Sequence, residues 1–140
     1  MNNHQKANTK GKINSLSQIA SAVQREKNAG KSLVHCHGVF DLIHPGHIRH
    51  LETAKKEGDI LVVTVTADRF VNKGPGRPVF NQDLRAESLA ALECVDYVAV
   101  NHSPTAIEPI QQLQPDVYVK GSEYSTRQRD ESQAFPLEEQ

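Results

Sequence analysis

The chain has 140 residues, the size of one ordinary domain and too few for two complete folded units. Hydrophobic residues make up 37% and charged residues 24%, with 16 basic against 17 acidic side chains and a net charge of −1. That balance excludes a fibrous or broadly disordered chain and gives no drive toward nucleic acid or an anionic membrane, and no apolar run approaches the ~18 residues of a membrane span.

Residues 1–14 are polar and basic without an apolar core, so they read as a flexible lead and not a secretory signal. Ser15 to Asn28 carries Leu16, Ile19, Ala20 and Val23 at helical spacing, with Gly30 just beyond as a stop. Leu33 to Phe40 is a short apolar strand interrupted by His35 and His37. His47 to Glu57 reads as a helix with Ile48, Leu51 and Ala54 on one face, preceded by Pro45 and closed by Gly58. Ile60 to Thr66 is a β-branched run without strict alternation, as in a strand buried on both faces of a parallel sheet. Gly74-Pro75-Gly76-Arg77-Pro78 makes Asp68 to Pro78 a loop. Asp83 to Cys94 follows as a helix with Leu84, Leu89 and Leu92 as its core side. Then come a strand at Tyr97 to Val100, a helix at Thr105 to Leu113 after Pro104, and a strand at Asp116 to Val119. Periodicity ends after Tyr124. Glu123 to Gln140 holds five acids against two arginines and reads as a tail or the start of a further region.

Alternating strands and helices predict an α/β fold, a Rossmann-like doubly wound parallel sheet with helices on both faces, over residues 15–124. Ligands of such sheets bind beyond the carboxyl ends of the strands, near the switch in strand order. The unusual residues gather at those ends: Gly38 to Asp41, Asp68 and Lys120-Gly121. Two cysteines, Cys36 and Cys94, are too few for a disulfide framework, so a reducing cytoplasm is the expected compartment.

Four of the seven histidines lie between His35 and His47, with His50 close behind. A strand ends at Gly38 and a helix begins near Gly46. A helix N-terminus offers unpaired N–H groups and partial positive charge, which suit phosphate. His44 and His47 flank that position, and Gly46 leaves the backbone approachable. Imidazole donors aimed at a phosphoryl group would offset the charge developing in an in-line displacement. Other readings stand beside this one. The His-x-x-His spacing with His50 would suit zinc, though no carboxylate or thiol has clear ligand spacing nearby. His4, His50 and His102 read as ordinary structural histidines. A P-loop fails for want of Gly-Lys-Ser/Thr.

His44-Pro45-Gly46-His47 after Gly38-Val39-Phe40-Asp41 resembles the His-x-Gly-His signature of the cytidylyltransferase-like nucleotidyltransferases. The likeness continues through Asp59 to Val63, Lys73 to Val79, Arg85, Leu89 to Leu92, Val95 to Val98 and Pro115 to Gly121, in the family's order and spacing. It runs from about Lys12 to Tyr124. Within the family the chain is similar to the adenylyltransferase domain of bifunctional heptose-phosphate kinase/adenylyltransferases, and more distantly to glycerol-3-phosphate cytidylyltransferase.

The resemblance implies transfer of a nucleoside monophosphate from an NTP, ATP in the nearer likeness, to a heptose-like sugar phosphate with release of pyrophosphate. The acceptor phosphate attacks the α-phosphorus directly. CTP with glycerol-3-phosphate or a similar polyol phosphate is the alternative, as is nucleotide binding without turnover. The resemblance gives His44 and His47 the transition state and Lys73 the bridge between substrate and nucleotide phosphates. It gives Gly38, Val39, Phe40, Gly46, Arg85, Lys120, Gly121 and Tyr124 the nucleotide, and Asp41, Asp68 and His37 the acceptor. Plainer roles stand against these: a solvated Lys73, a surface Arg85, turn caps at Asp41 and Asp68, and packing at Tyr124. Mg²⁺ is expected with the nucleotide phosphates, with no dedicated metal cage. Homodimerisation and fusion to a sugar-kinase-like domain are further implications. The chain departs from the family twice. Cys36-His37 stands where Thr-Asn is usual, which adds a titratable group near the phosphate site. The Ser/Thr-rich segment that closes over the nucleotide has no match past Tyr124, as in the N-terminal part of a longer protein.

Overall fold

The β-branched run Ile60–Thr66 is buried at every position, which fits a strand flanked on both sides and covered on both faces. It forms β2 in a computed structural model that describes residues 11–72 and 74–120. The other strands are β1 (Leu33–Gly38), β3 (Tyr97–Asn101) and β4 (Val117–Lys120). All pairings are parallel, in the order β3-β2-β1-β4. Helix α1 (Leu16–Asn28) precedes β1, and α2 (Pro45–Lys55), α3 (Gln82–Ala90) and α4 (Ile107–Leu113) lie between successive strands.

Two apolar clusters lie on opposite faces of the sheet, so the Rossmann-like doubly wound expectation holds. One joins Cys36, Val63 and Val65 to Leu51 and Ala54 of α2 and to Ala86 and Leu89 of α3. The other joins Leu33, Val62 and Ala99 to Ile19 and Val23 of α1 and Leu113 of α4. Cys36 is fully buried, as a small apolar residue should be. No helix among the described residues is long and apolar enough to cross a membrane.

Several boundaries move from their expected places, each for a local reason. Helix α2 starts at Pro45, two residues early, because His44 caps it. Strand β1 stops at Gly38 because Phe40 turns the chain at a φ of 52°. Helix α3 starts one residue early, where the Asn81 side chain accepts the Leu84 N–H at 2.9 Å, and it ends at Ala90 instead of Cys94. Its core side is also different: Leu84 is 47% exposed, and Arg85, Ala86, Leu89 and Ala90 face inward. Residues 12–14, assigned to the lead by their polarity, dock on the outer edge of β3. Val98 N donates to the Lys12 carbonyl at 2.8 Å and Asn14 N donates to the Val98 carbonyl at 3.2 Å.

At the N-terminal rim of the sheet, three aspartates stand directly before strands. Each accepts the backbone N–H of a residue at the start of a neighbouring strand. Asp116 takes Leu33 N at 2.7 Å, Asp96 takes Leu61 N at 2.8 Å, and Asp59 takes Ser32 N at 2.9 Å. Asp96 also pairs with Lys55 of α2 at 2.6 Å. Charge-assisted bonds of this kind contribute about 1.5–3 kcal/mol when partly buried. Asp96→Ala is therefore expected to lower the unfolding free energy by about 1–3 kcal/mol, read from urea denaturation, with no change in the sheet order.

Candidate active site

The strand order reverses beside β1: α2 carries the chain from β1 to β2 over one face, and α4 returns it to β4 along the other face and the opposite edge. The carboxyl ends of β1 and β4 flank this switch, the usual ligand crevice of such sheets. Gly38 ends β1 there, Val39 follows, and Phe40 takes the left-handed conformation that non-glycine residues seldom adopt. The Phe40 ring is buried in the core and meets His47 edge-on, with centroids 5.9 Å apart.

Helix α2 is capped by two histidines. His44 Nδ1 accepts the Gly46 N–H at 3.0 Å, and His47 Nδ1 accepts the His44 N–H at 3.1 Å. The rings lie 4.1 Å apart. Here the structure corrects the expectation of open N–H groups at this terminus. The Gly46 and His47 amides are already taken, by the His44 ring and the His44 carbonyl. Because each Nδ1 accepts from a backbone N–H, each neutral ring carries its proton on Nε2. The terminus therefore offers imidazole Nε2–H donors in place of backbone ones. Gly46 has a second purpose: a Cβ there would lie 2.8 Å from His44 Cε1, so it keeps room for the ring. Burial first, and then the neighbouring His44 and His50, lower the pKa of His47 and favour the neutral donor.

Asp41 and Arg85 are both committed within the protein. Asp41, 8% exposed, accepts from Arg77 Nη1 at 2.8 Å, Val79 N at 2.9 Å and Phe80 N at 3.2 Å. Its burial alone would raise its pKa; the Arg77 guanidinium and the two N–H groups outweigh that and hold it below the usual carboxylate value. Arg85, expected among the nucleotide contacts or else on the surface, is 1% exposed. Its Nη1 donates to the Val39 and Thr66 carbonyls at 2.9 and 2.7 Å, and its Nε to the Phe80 carbonyl at 2.9 Å. Its Nη2 pairs with Asp68 at 2.7 Å.

His37 lies on the opposite face of β1 from Cys36, in a chain of hydrogen bonds. His35 Nε2 and His37 Nδ1 each lie 2.8 Å from the Thr64 hydroxyl. His37 Nε2 lies 3.4 Å from the Thr66 hydroxyl, which donates to the Gly38 carbonyl at 3.4 Å. If Thr66 gives its proton to Gly38, it accepts from His37 Nε2, Thr64 donates to His37 Nδ1, and His35 Nε2 donates to Thr64. Only His35 Nδ1 is left, a buried lone pair with no partner among the described residues. Burial depresses both pKa values, that of His37 to about 4 against a small opposing contribution from Thr64.

The structure brings Gly38, Val39, Phe40, Asp41, His44, Gly46, His47, Asp68 and Arg85 to one rim. His50 also reaches it, with Nε2 3.0 Å from the Lys120 carbonyl, so α2 is tied to the end of β4. Lys73, Gly121 and Tyr124 lie outside the described residues. Sequence reasoning passed over Thr64, Thr66 and Arg77. Two threonines at period two in an aliphatic run would have placed both on the histidine face. No group of three or more His, Cys, Asp or Glu side chains suited to a metal ion occurs among the described residues.

This fold, with a histidine-capped helix at the strand-order switch, is that of a nucleotidyltransferase domain. The chain belongs to the cytidylyltransferase-like family, whose model matches residues 35–135. Among curated proteins it is 42% identical over 124 residues to the bifunctional protein HldE of Citrifermentans bemidjiense and 40% identical over 121 residues to that of Aliarcobacter butzleri. The matches cover 87% and 85% of this chain. The chain spans about a quarter of the length of these relatives. Among solved structures, the lipopolysaccharide core biosynthesis protein from Thermoplasma volcanium superposes with a TM-score of 0.61 at 29% identity, covering 71% of this chain and 83% of that one.

Two outcomes follow from this geometry. Gly46→Ala is expected to displace the His44 ring and cut turnover while leaving the thermal midpoint nearly unchanged; paired kinetics and calorimetry check it. The second concerns pH. With a folded pKa near 4 against about 6.5 unfolded, His37 contributes stability that is complete above about pH 6.5 and lost as pH falls toward 4. Urea unfolding from pH 7 to 4 should show that decline, and His37→Asn should flatten part of it.

Proposed function

We propose that the chain transfers a nucleoside monophosphate from an NTP, ATP, to a sugar phosphate of the heptose-phosphate class, releasing pyrophosphate. The observation that carries this reading is the pair of imidazoles whose Nδ1 atoms are locked by backbone N–H groups. Their Nε2–H donors stand at the positive end of α2, beside the strand-order switch. In a direct displacement at the α-phosphorus, negative charge grows on the phosphoryl oxygens. Donors fixed in advance meet that charge with little reorganisation. A sugar-phosphate acceptor is supported by the resemblance of the sequence to heptose-phosphate adenylyltransferase domains. The likeness to a lipopolysaccharide core biosynthesis protein from Thermoplasma volcanium supports it as well.

Under this reading Lys73 would contact the phosphates, and Lys120 with Gly121 and Tyr124 would border the nucleobase. Of the acids expected at the acceptor, Asp41 holds a loop and Asp68 holds Arg85, so neither suits a resident cation. Mg²⁺ would enter as part of the nucleotide, carried on phosphate oxygens. A homodimer, a cytoplasmic setting and a functional link to a sugar-kinase-like domain complete the proposal. The bifunctional character of the HldE relatives supports the last of these.

The test is pyrophosphate release with ATP and with CTP, each against a panel of sugar and polyol phosphates. Release with ATP and a heptose phosphate is expected. His47→Ala should then lower kcat by roughly 10²–10³-fold, as loss of a transition-state donor does, in a chain that still folds but melts at a lower temperature for want of the α2 cap and the Phe40 contact. Full activity in that variant would refute the role given to the histidines.

A further inference from the structure

Residues 77–80 form a limb that reaches the catalytic rim, and its two large apolar side chains contribute little burial. Val79 is 50% exposed and Phe80 44%. What holds the limb is polar and buried. Asp41 grips it from the N–H side, through Arg77 Nη1, Val79 N and Phe80 N. Arg85 grips it from the carbonyl side, through Phe80 O, while its other nitrogens hold Val39 O, Thr66 O and Asp68. Asp41 and Val39 belong to the turn that delivers the chain to His44. The two charged side chains thus clamp that turn between the end of β2 and the limb. Burying charges this deeply is unfavourable unless hydrogen bonds replace the lost hydration, and here each charge meets several fixed partners drawn from both the turn and the limb.

We infer that Asp41, Arg77 and Arg85 are positioning residues, a brace that fixes the turn before His44, and that Asp41 is not an acceptor ligand. The inference rests on the function proposed above. A displacement of about 1 Å in a catalytic group costs on the order of a hundredfold in rate, so a brace here acts on kcat. The limb itself needs no contact with substrate.

The experiment compares the intact chain with Arg77→Ala, Asp41→Asn and the double variant. Arg77 is chosen because its side chain is 36% exposed and its loss spares the core; Arg85 variants risk unfolding. Two readouts are taken: steady-state pyrophosphate release with ATP and the best acceptor, and amide hydrogen exchange across residues 77–80. A brace predicts that both single variants lose roughly ten- to hundredfold in kcat with nucleotide affinity unchanged. It also predicts a double variant no worse than the poorer single one, since the two act as a unit. Exchange at Val79 and Phe80 should quicken by roughly tenfold or more in Asp41→Asn, as expected for loss of a charge-assisted bond. Full turnover in Arg77→Ala beside an acceptor-KM defect in Asp41→Asn would overturn the inference and make Asp41 a substrate ligand. If the unaltered chain releases no pyrophosphate with any pair of substrates, the proposed function falls, and exchange alone decides the brace. Faster exchange at Val79 and Phe80 then upholds it, and unchanged exchange overturns it.

Discussion

Parallel strands finish on one rim, where the carbonyls beyond the last paired residues have no ladder partners left. In this protein a single guanidinium gathers them. Arg85 is inaccessible to solvent, and removal of its charge from water is unfavourable by several kcal/mol unless hydrogen bonds replace hydration. Four protein oxygens do so, and they come from three separate segments: the β1 turn, the end of β2 with the 3-10 turn Asp68–Phe70 that follows it, and the limb before α3. A lysine could not copy this, because its ammonium is a point charge without a planar fork. The position of the β1 turn, and with it the approach of the chain to His44, depends first on this side chain, with Asp41 holding the same limb from its N–H side.

The histidines divide into two sets by face and by task. His44 and His47 are joined to backbone amides, which fixes their tautomers and leaves the proton of the neutral ring on Nε2. His35 and His37 lie on the other side of β1, sharing one threonine hydroxyl, and their network ends on the Gly38 carbonyl. Both sets converge on the turn, one from its far end and one from its start. Burial lowers the proton affinity of His35, His37 and His47. Burial thus favours the neutral form of each, and the peptide dipoles add partial positive charge at the helix end.

Strand and helix order was legible because hydrophobic period and chain punctuation agree along most of the sequence. The His44 to His47 cluster was legible from its spacing, and so was its place after a strand-ending glycine. Arg85 was not. On a helix read from leucine spacing it fell beside the apolar stripe, and only tertiary structure shows that the stripe is rotated and Leu84 faces solvent. Asp41 was legible as a special residue but not in its partners, because Arg77 lies across a glycine-proline loop whose path no local rule fixes. The capping of α2 by imidazoles was hidden for a different reason. Histidine is an uncommon N-cap, and the usual Ser, Thr, Asp or Asn signal is missing there.

The docking of residues 12–14 has a bearing on how copies of this chain meet one another. A β-strand at the edge of a sheet is a template for strands from other molecules, and unprotected edges promote aggregation. The short bridge at Ile13 occupies both backbone groups of Val98, at the second position of the five-residue β3. An incoming strand would have to displace it before pairing along that edge. Three residues that look like loose leader thus act as a guard, and cleavage between them and α1 would leave the fold standing but its sheet adhesive.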